Sequence, residues 1–251
     1  DVGDDPFMPS GSIAPYASLA TAYEQLRDGY PDIMLLKRGE NWSQNIPDWE
    51  KSGRSSAQRM VLGAYGDMRT RRPQVGRFNI RTDVDNLVVA SLELEDQERA
   101  INIEGALNHI LIEDVFCPPG LGHGMAIQNP AADGGIDYLA LRRNVIASRR
   151  RASESGGYAQ GIYIDDSIHL LIEENVFDQN GWEAGDGENS TADLRSHNTY
   201  IMLGRSGDEQ HIFRYNISTR GRSHGIQAGS GGLIYGNLSV QDAIGIQTCR
   251  E

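Results

Sequence analysis

An apolar strand that ends on a small polar residue recurs six times: NLVVAS (86–91), HILIED (109–114), LALRRN (139–144), LLIEEN (170–175), HIFRYN (211–216) and GLIYGN (232–237). The closing position reads Ser91, Asp114, Asn144, Asn175, Asn216 and Asn237, and an apolar residue follows each one. Spacings of 23, 30, 31, 41 and 21 residues describe a strand-rich turn with loops inserted into it, which is how a solenoid looks in sequence. A second strand family precedes the first: AINIEG (100–105), GMAIQN (124–129), GIYIDD (161–166), YIMLGR (200–205), GIQAGS (225–230) and GIQTCR (245–250). Its second and fourth positions are mainly apolar and point inward. The fifth then forms an external column of Glu104, Gln128, Asp165, Gly204, Gly229 and Cys249.

Ahead of the repeats, residues 1–15 are polar and read as an extended lead-in. YASLATAYEQLRDGY (16–30) places Leu19, Tyr23 and Leu26 at helical spacing and closes on Gly29 and Pro31, which predicts an amphipathic helix. IMLLKRG (33–39) and RMVLGAYG (59–66) follow as strands. A helix here would shield the open end of the first coil. The expected organisation is therefore residues 1–58 as lead-in, capping helix and first strand, and residues 59–251 as coils. Trp42 and Trp49, in the polar loop between those strands, either anchor that loop or stack on sugar rings.

Composition narrows the classes. A net charge of −12 argues against generic nucleic-acid binding, which needs a basic face. No apolar run approaches the ~18 residues of a membrane span. Lysine occurs only at 37 and 51, whereas arginine is abundant. The tract Arg149, Arg150, Arg151 reads as solvated surface or an anion site. Cys117 and Cys249 fall several coils apart, roughly 20 Å at ~4.8 Å per stacked strand, beyond disulfide reach. A first residue Asp1 suits both a mature secreted protein and a trimmed chain.

With two strands per turn, asparagines after the strands and inserts confined to loops, residues 30–251 resemble the pectate-lyase-like right-handed parallel β-helix superfamily, which includes polysaccharide lyases and polygalacturonases. The resemblance implies an all-β solenoid with internal asparagine ladders. It also implies a secreted protein that takes its polysaccharide along the outward strand face, with Tyr163, Gln227, Gln247 and His123 as candidate contacts. In that fold Asp114, Asn144, Asn175, Asn216 and Asn237 are structural, bonding backbone where strands bend inward. The sequons at Asn216 and Asn237 would then be too buried to carry glycans.

Three constellations compete for the chemistry. Asp165 and Asp166, near Tyr163 and Glu173, can serve as acid and base of a polygalacturonase-type hydrolase, or hold calcium with Glu173; a plain Asp-Asp-Ser turn is the alternative. GHGMAIQN (122–129) and SHGIQAGS (223–230) repeat a His-Gly pair at His123 and His224, resembling the Gly-His-Gly segment of polygalacturonases, although a whole coil separates His224 from Asp165. Lyases of the chondroitinase-B and alginate type carry lysine and arginine at the fifth outward position. The matching positions here are Gly204 and Gly229, so a lyase site would draw on His224 as base with Arg205, Arg220 or Arg222 beside the uronate. The leading expectation is a lyase acting on an acidic polysaccharide by β-elimination. A hydrolase and a non-catalytic glycan-binding or fibre-forming protein are the alternatives. IGIQTCRE begins another coil and stops, so a further chain segment or subunit is expected to cover that end.

Overall fold

The computed structural model of the chain describes residues 15–95, 98–129, 135–152, 157–185, 195–202 and 209–248. Its strands stack in parallel into three long sheets. Sheet A has eight strands: Ile33–Lys37, Met60–Tyr65, Val84–Ala90, Leu107–Glu113, Ile136–Arg142, His169–Glu173, Gln210–Arg214 and Leu233–Tyr235. Sheet B has seven short ones: Gln74–Val75, Glu93–Leu94, Phe116–Cys117, Val145–Ala147, Val176–Asp178, Ile217–Thr219 and Leu238–Val240. Sheet C comprises Phe78–Ile80, Arg99–Glu104, His123–Gln128, Ile162–Ile164, Thr199–Ile201, His224–Ala228 and Ile244–Thr248. Each turn of chain runs through C, A and B before returning to C one strand further along. That order makes a parallel β-helix.

The core is narrow because each strand contributes at most about three inward side chains per coil. Ile110 and Ile112, Leu139 and Leu141, and Leu170 and Ile172 stack in register on sheet A, all buried. Asn86, His109 and Tyr138 interrupt these strands at one level with φ of 57°, 58° and 46°. Each adds a bend that lets the residues on both sides face inward, as Ile136 and Leu139 do. Their outward rings stack in turn, His109 on Tyr138 at 4.6 Å and Tyr138 on His169 at 4.4 Å.

The bend from sheet A to sheet B is made by Ser91, Asp114, Arg143, Glu174, Tyr215 and Gly236, all with φ between 53° and 66°. The ladder proper is the next residue. Asn144, Asn175, Asn216 and Asn237 follow one another, each Oδ1 accepting the backbone N–H and the side-chain Nδ2–H of the rung before it where that rung is Asn. Asp114 is a correction to the sequence alignment. Glu113 pairs with Arg142 and Phe116 with Val145, so Asp114 stands opposite Arg143 and Val115 opposite Asn144. Asp114 therefore points outward, bonded to Ser91 Oγ and ion-paired with Arg72, and Asn144 ends the ladder on Val115 N–H and Ile112 C=O.

A second polar ladder follows sheet B. Asn180 Oδ1 accepts from Arg149 N–H, and Asn198 Oδ1 accepts from Asn180 N–H and Nδ2–H. Asn198 comes from the next connection. It reaches the space over Gly221, where a Cβ would lie 2.8 Å from its Nδ2. Asp242 completes the stack by accepting from Asn198 Nδ2–H and Gly221 N–H.

Other expectations shift in detail. The helix is Leu19–Glu24, N-capped by Ser18, and Leu19 and Leu26 join the core. Lys51 Nζ donates to the carbonyls of Tyr23 and Leu26, and Trp49 is fully buried between Tyr23 and Phe78, so this tryptophan anchors its loop. The Arg149–Arg151 tract is neither solvated surface nor a free anion site. Arg149 is buried and donates to Pro118 C=O, and Arg151 is ion-paired with Glu183. Cys117 is buried, which pushes its thiol up to about 12; Cys249 lies outside the described residues. At the far end, the inward-facing Ile246 is 42% exposed, against 1% for Ile226 one coil earlier.

Candidate functional site

Sheet C presents a stripe of outward residues in register: Ala126, Tyr163, Tyr200, Gln227 and Gln247. Here too the sequence alignment slips. Ile162 pairs with Thr199 and Ile164 with Ile201, so Met202 rather than Gly204 stands beside Asp165. Gly204 and Arg205 lie outside the described residues.

Above this stripe lies a cleft of about 490 Å³ lined by His123, Gln128, Tyr158, Gln160, Tyr163, Arg195, His197, Tyr200, Met202 and Gln227. Its floor is aromatic. His123 and Tyr163 lie face to face at 6.0 Å, Tyr163 meets Tyr200 at 5.7 Å, and His197 meets Tyr200 at 4.9 Å. Tyr163 donates its hydroxyl to Met202 Sδ at 2.8 Å. Arg195 is exposed on the wall, donates to Tyr158 Oη at 2.7 Å and stands over that ring at 5.8 Å.

Three lining residues came from the sequence as contacts: Tyr163, Gln227 and His123. Gln247 neighbours Gln227 on the next coil. Burial drives the His123 pKa down to about 4, with Arg99 and Arg149 adding to the effect, so the ring is neutral above that pH. His224 lies beneath the wall, its Nδ1 2.9 Å from His197 Nδ1, and burial lowers its pKa while Gln247 opposes the shift.

The remaining candidates are elsewhere. Arg220 is ion-paired with Asp178, and Arg222 is 2% exposed and paired with Glu183, so both guanidiniums are spent on the bend from sheet B to sheet C. Neither lines the cleft. Glu173 sits on sheet A between Arg142 and Arg214 and is not gathered with Asp165 and Asp166. Asp165 occupies the cleft's edge, in register between Gln128 and Met202, while Asp166 turns the chain into sheet A with φ 58°. Among the described residues no three His, Cys, Asp or Glu side chains come together as a metal site.

Sequence reasoning missed Arg195, His197, Tyr200, Tyr158 and Gln160. One signal was available: Arg-Ser-His occurs at 195–197 and again at 222–224, and the two copies sit in register on adjacent coils.

No protein-family model and no curated protein sequence matches the chain. Among solved structures it superposes on the crystal structure of pectate lyase Pel9A with a TM-score of 0.59 and 14% identity, over 96% of this chain and 73% of that one. A rhamnogalacturonan lyase also aligns, with a TM-score of 0.40 and 14% identity over 94% of this chain and 71% of that one. Three parallel sheets, an internal asparagine ladder and this superposition give the chain the pectate-lyase-like parallel β-helix fold.

Proposed function

We propose that the protein is a secreted polysaccharide lyase that cleaves an acidic, uronic-acid polysaccharide by β-elimination in the sheet C cleft. One observation carries this reading. The chain has 35 acidic and 23 basic residues, yet among the described residues none of those lining the cleft is a carboxylate, and Arg195 stands on its wall. A polyanion in such a cleft would meet a like charge only at its edge, at Asp165 among the described residues, and its sugar rings would find the tyrosines.

Elimination needs the uronate charge offset and the C5 proton removed. In this reading Arg195, on the cleft wall, pairs with the carboxylate, and a neutral histidine takes the proton. The described residues do not fit a protein-built calcium site, because Glu173 is held by two arginines and among them no third acidic or histidine ligand gathers with Asp165 and Asp166. No step here runs through a metal. The hydrolase reading needs two opposed carboxylates across the substrate, which the described residues of the cleft lining do not supply.

The test is ultraviolet absorbance of C4–C5 unsaturated ends while the protein is incubated with a panel of polyuronates, with calcium and with chelator. Absorbance is expected to rise. Arg195→Ala should lower kcat/KM by about tenfold to a hundredfold, the worth of one charge-assisted hydrogen bond, and should matter less on a methyl-esterified polymer. New reducing ends without absorbance would sink the lyase in favour of the hydrolase using Asp165 and Asp166. Binding with neither product would point to a glycan-binding protein.

A further inference from the structure

We propose that His197 is the base of this elimination and that His224, one coil on, is a positioning residue that dictates which nitrogen of His197 carries the proton. The proposal rests on the lyase reading and adds a specific wiring to it. The two rings meet through like atoms, Nδ1 to Nδ1 at 2.9 Å, with centroids 4.8 Å apart. Two imidazoles can bond this way only if one Nδ1 carries hydrogen and the other a lone pair. A neutral pair therefore holds one Nδ1 proton between them.

The surroundings choose its owner. Nε2 of His224 is buried without a well-aligned partner, and the Gln247 side chain lies against that ring and favours its proton-bearing form. A proton on His224 Nε2 is the one a Gln247 carbonyl oxygen would accept. His224 Nδ1 is then an acceptor, open to His197 Nδ1–H and to the Ser223 hydroxyl 3.1 Å away. This leaves His197 in the tautomer whose Nε2 has the lone pair. His197 is the member of the pair that lines the cleft, beneath Tyr200.

In the reaction the C5–H bond breaks and its proton goes to His197 Nε2. The C4–C5 double bond forms, the C4–O bond breaks, and the leaving oxygen takes a proton from solvent. The charge gained by His197 is shared with His224 through the Nδ1 proton, and the pair later returns one proton to water. Among the described residues, titratable and charged groups around the pair include Tyr200 over His197, Arg195 on the same wall, His123 beyond Tyr163, Arg222 two residues before His224, and Asp242 bonded to Asn198.

The test combines ring-nitrogen NMR with steady-state kinetics on full-length protein. NMR of the wild type is expected to show His197 protonated at Nδ1 and bare at Nε2. His197→Gln should lower kcat by about 10²- to 10⁴-fold, the usual worth of a general base. His224→Leu should release the His197 tautomer and lower kcat by about tenfold to a hundredfold with KM little changed, in the range seen when a residue that orients another ligand is removed. His224→Asn, whose amide oxygen can stand where Nδ1 stands, should recover most of that loss and keep the acid limb of the wild-type pH profile. A His197 found protonated at Nε2 in the wild type, or His224→Asn as slow as His224→Leu in a folded protein, overturns the proposal. Absence of unsaturated product from every polymer removes the lyase reading and the base role together, and the nitrogen spectra then judge the wiring by itself.

Discussion

Replacing Asn175 with leucine is expected to lower unfolding stability by about 3 to 5 kcal/mol, the sum of two or more buried groups left without partners at about 1 to 3 kcal/mol each. Asn175 is 1% exposed. Its Oδ1 accepts from Asn144 N–H and Nδ2–H, and its Nδ2 donates to Leu141 C=O and Asn216 Oδ1. Leucine has nearly the same volume and none of this capacity, so the loss would come from polarity and not from a cavity. Two controls give the number meaning. Asn237→Leu, on the half-exposed last rung, should cost about 1 kcal/mol because water reaches the groups it releases. Asp114→Leu should cost no more than that, since its partners Arg72 and Ser91 are partly solvated. Chemical denaturation of the three variants checks the ranking. Equal losses for Asn175 and Asn237 would mean that the ladder is not what fixes the bend.

The sequence displayed the ladder because the same physical demand recurs at each coil. A strand that turns inward exposes backbone amides, and asparagine answers them repeatedly at Asn144, Asn175, Asn216 and Asn237. What it hid was phase. Asp114 mimics the rung in composition but occupies the left-handed position before it, and nothing in composition distinguishes a residue that turns the chain from one that braces the turn. The slip at Thr199–Ile201 is of another kind. A shift of two residues leaves Ile201 inward, so the apolar pattern cannot detect it, while the outward column changes from Gly204 to Met202. The site suffered most from this. Outward residues carry no burial periodicity, and Tyr158, Gln160, Arg195 and His197 come from connections that vary in length between coils. The twin Arg-Ser-His segments show the limit of local pattern. Arg195 faces the cleft, whereas Arg222 at the equivalent position is buried against Glu183.

Acidification is expected to weaken the fold between pH 6.5 and about 4, by about 3 kcal/mol through His123 alone, at 1.36 kcal/mol for each unit by which folded and unfolded pKa differ. The sign follows from which state binds the proton. His123 titrates at about 4 in the folded chain and near 6.5 when unfolded, so across that window the unfolded chain takes up a proton that the folded chain refuses. Stability is fully present above the unfolded pKa and is lost as pH falls toward the folded one. His211 and His224, lowered by burial as well, act in the same direction. Asp85, raised by burial and by Asp83, acts against them because its folded form holds its proton longer. Asp114, lowered by Arg72 and Ser91 against its own burial, contributes its loss only at still lower pH. His123→Gln removes the titrating group from a site where Nδ1 has no partner to lose. The difference in stability between wild type and this variant should therefore change with pH across the window and level off above 6.5. A difference that stays constant from pH 7 to pH 4 would show that His123 takes up its proton in the fold as readily as in the unfolded chain, and with it that below pH 6.5 the cleft floor carries a charge rather than a neutral ring.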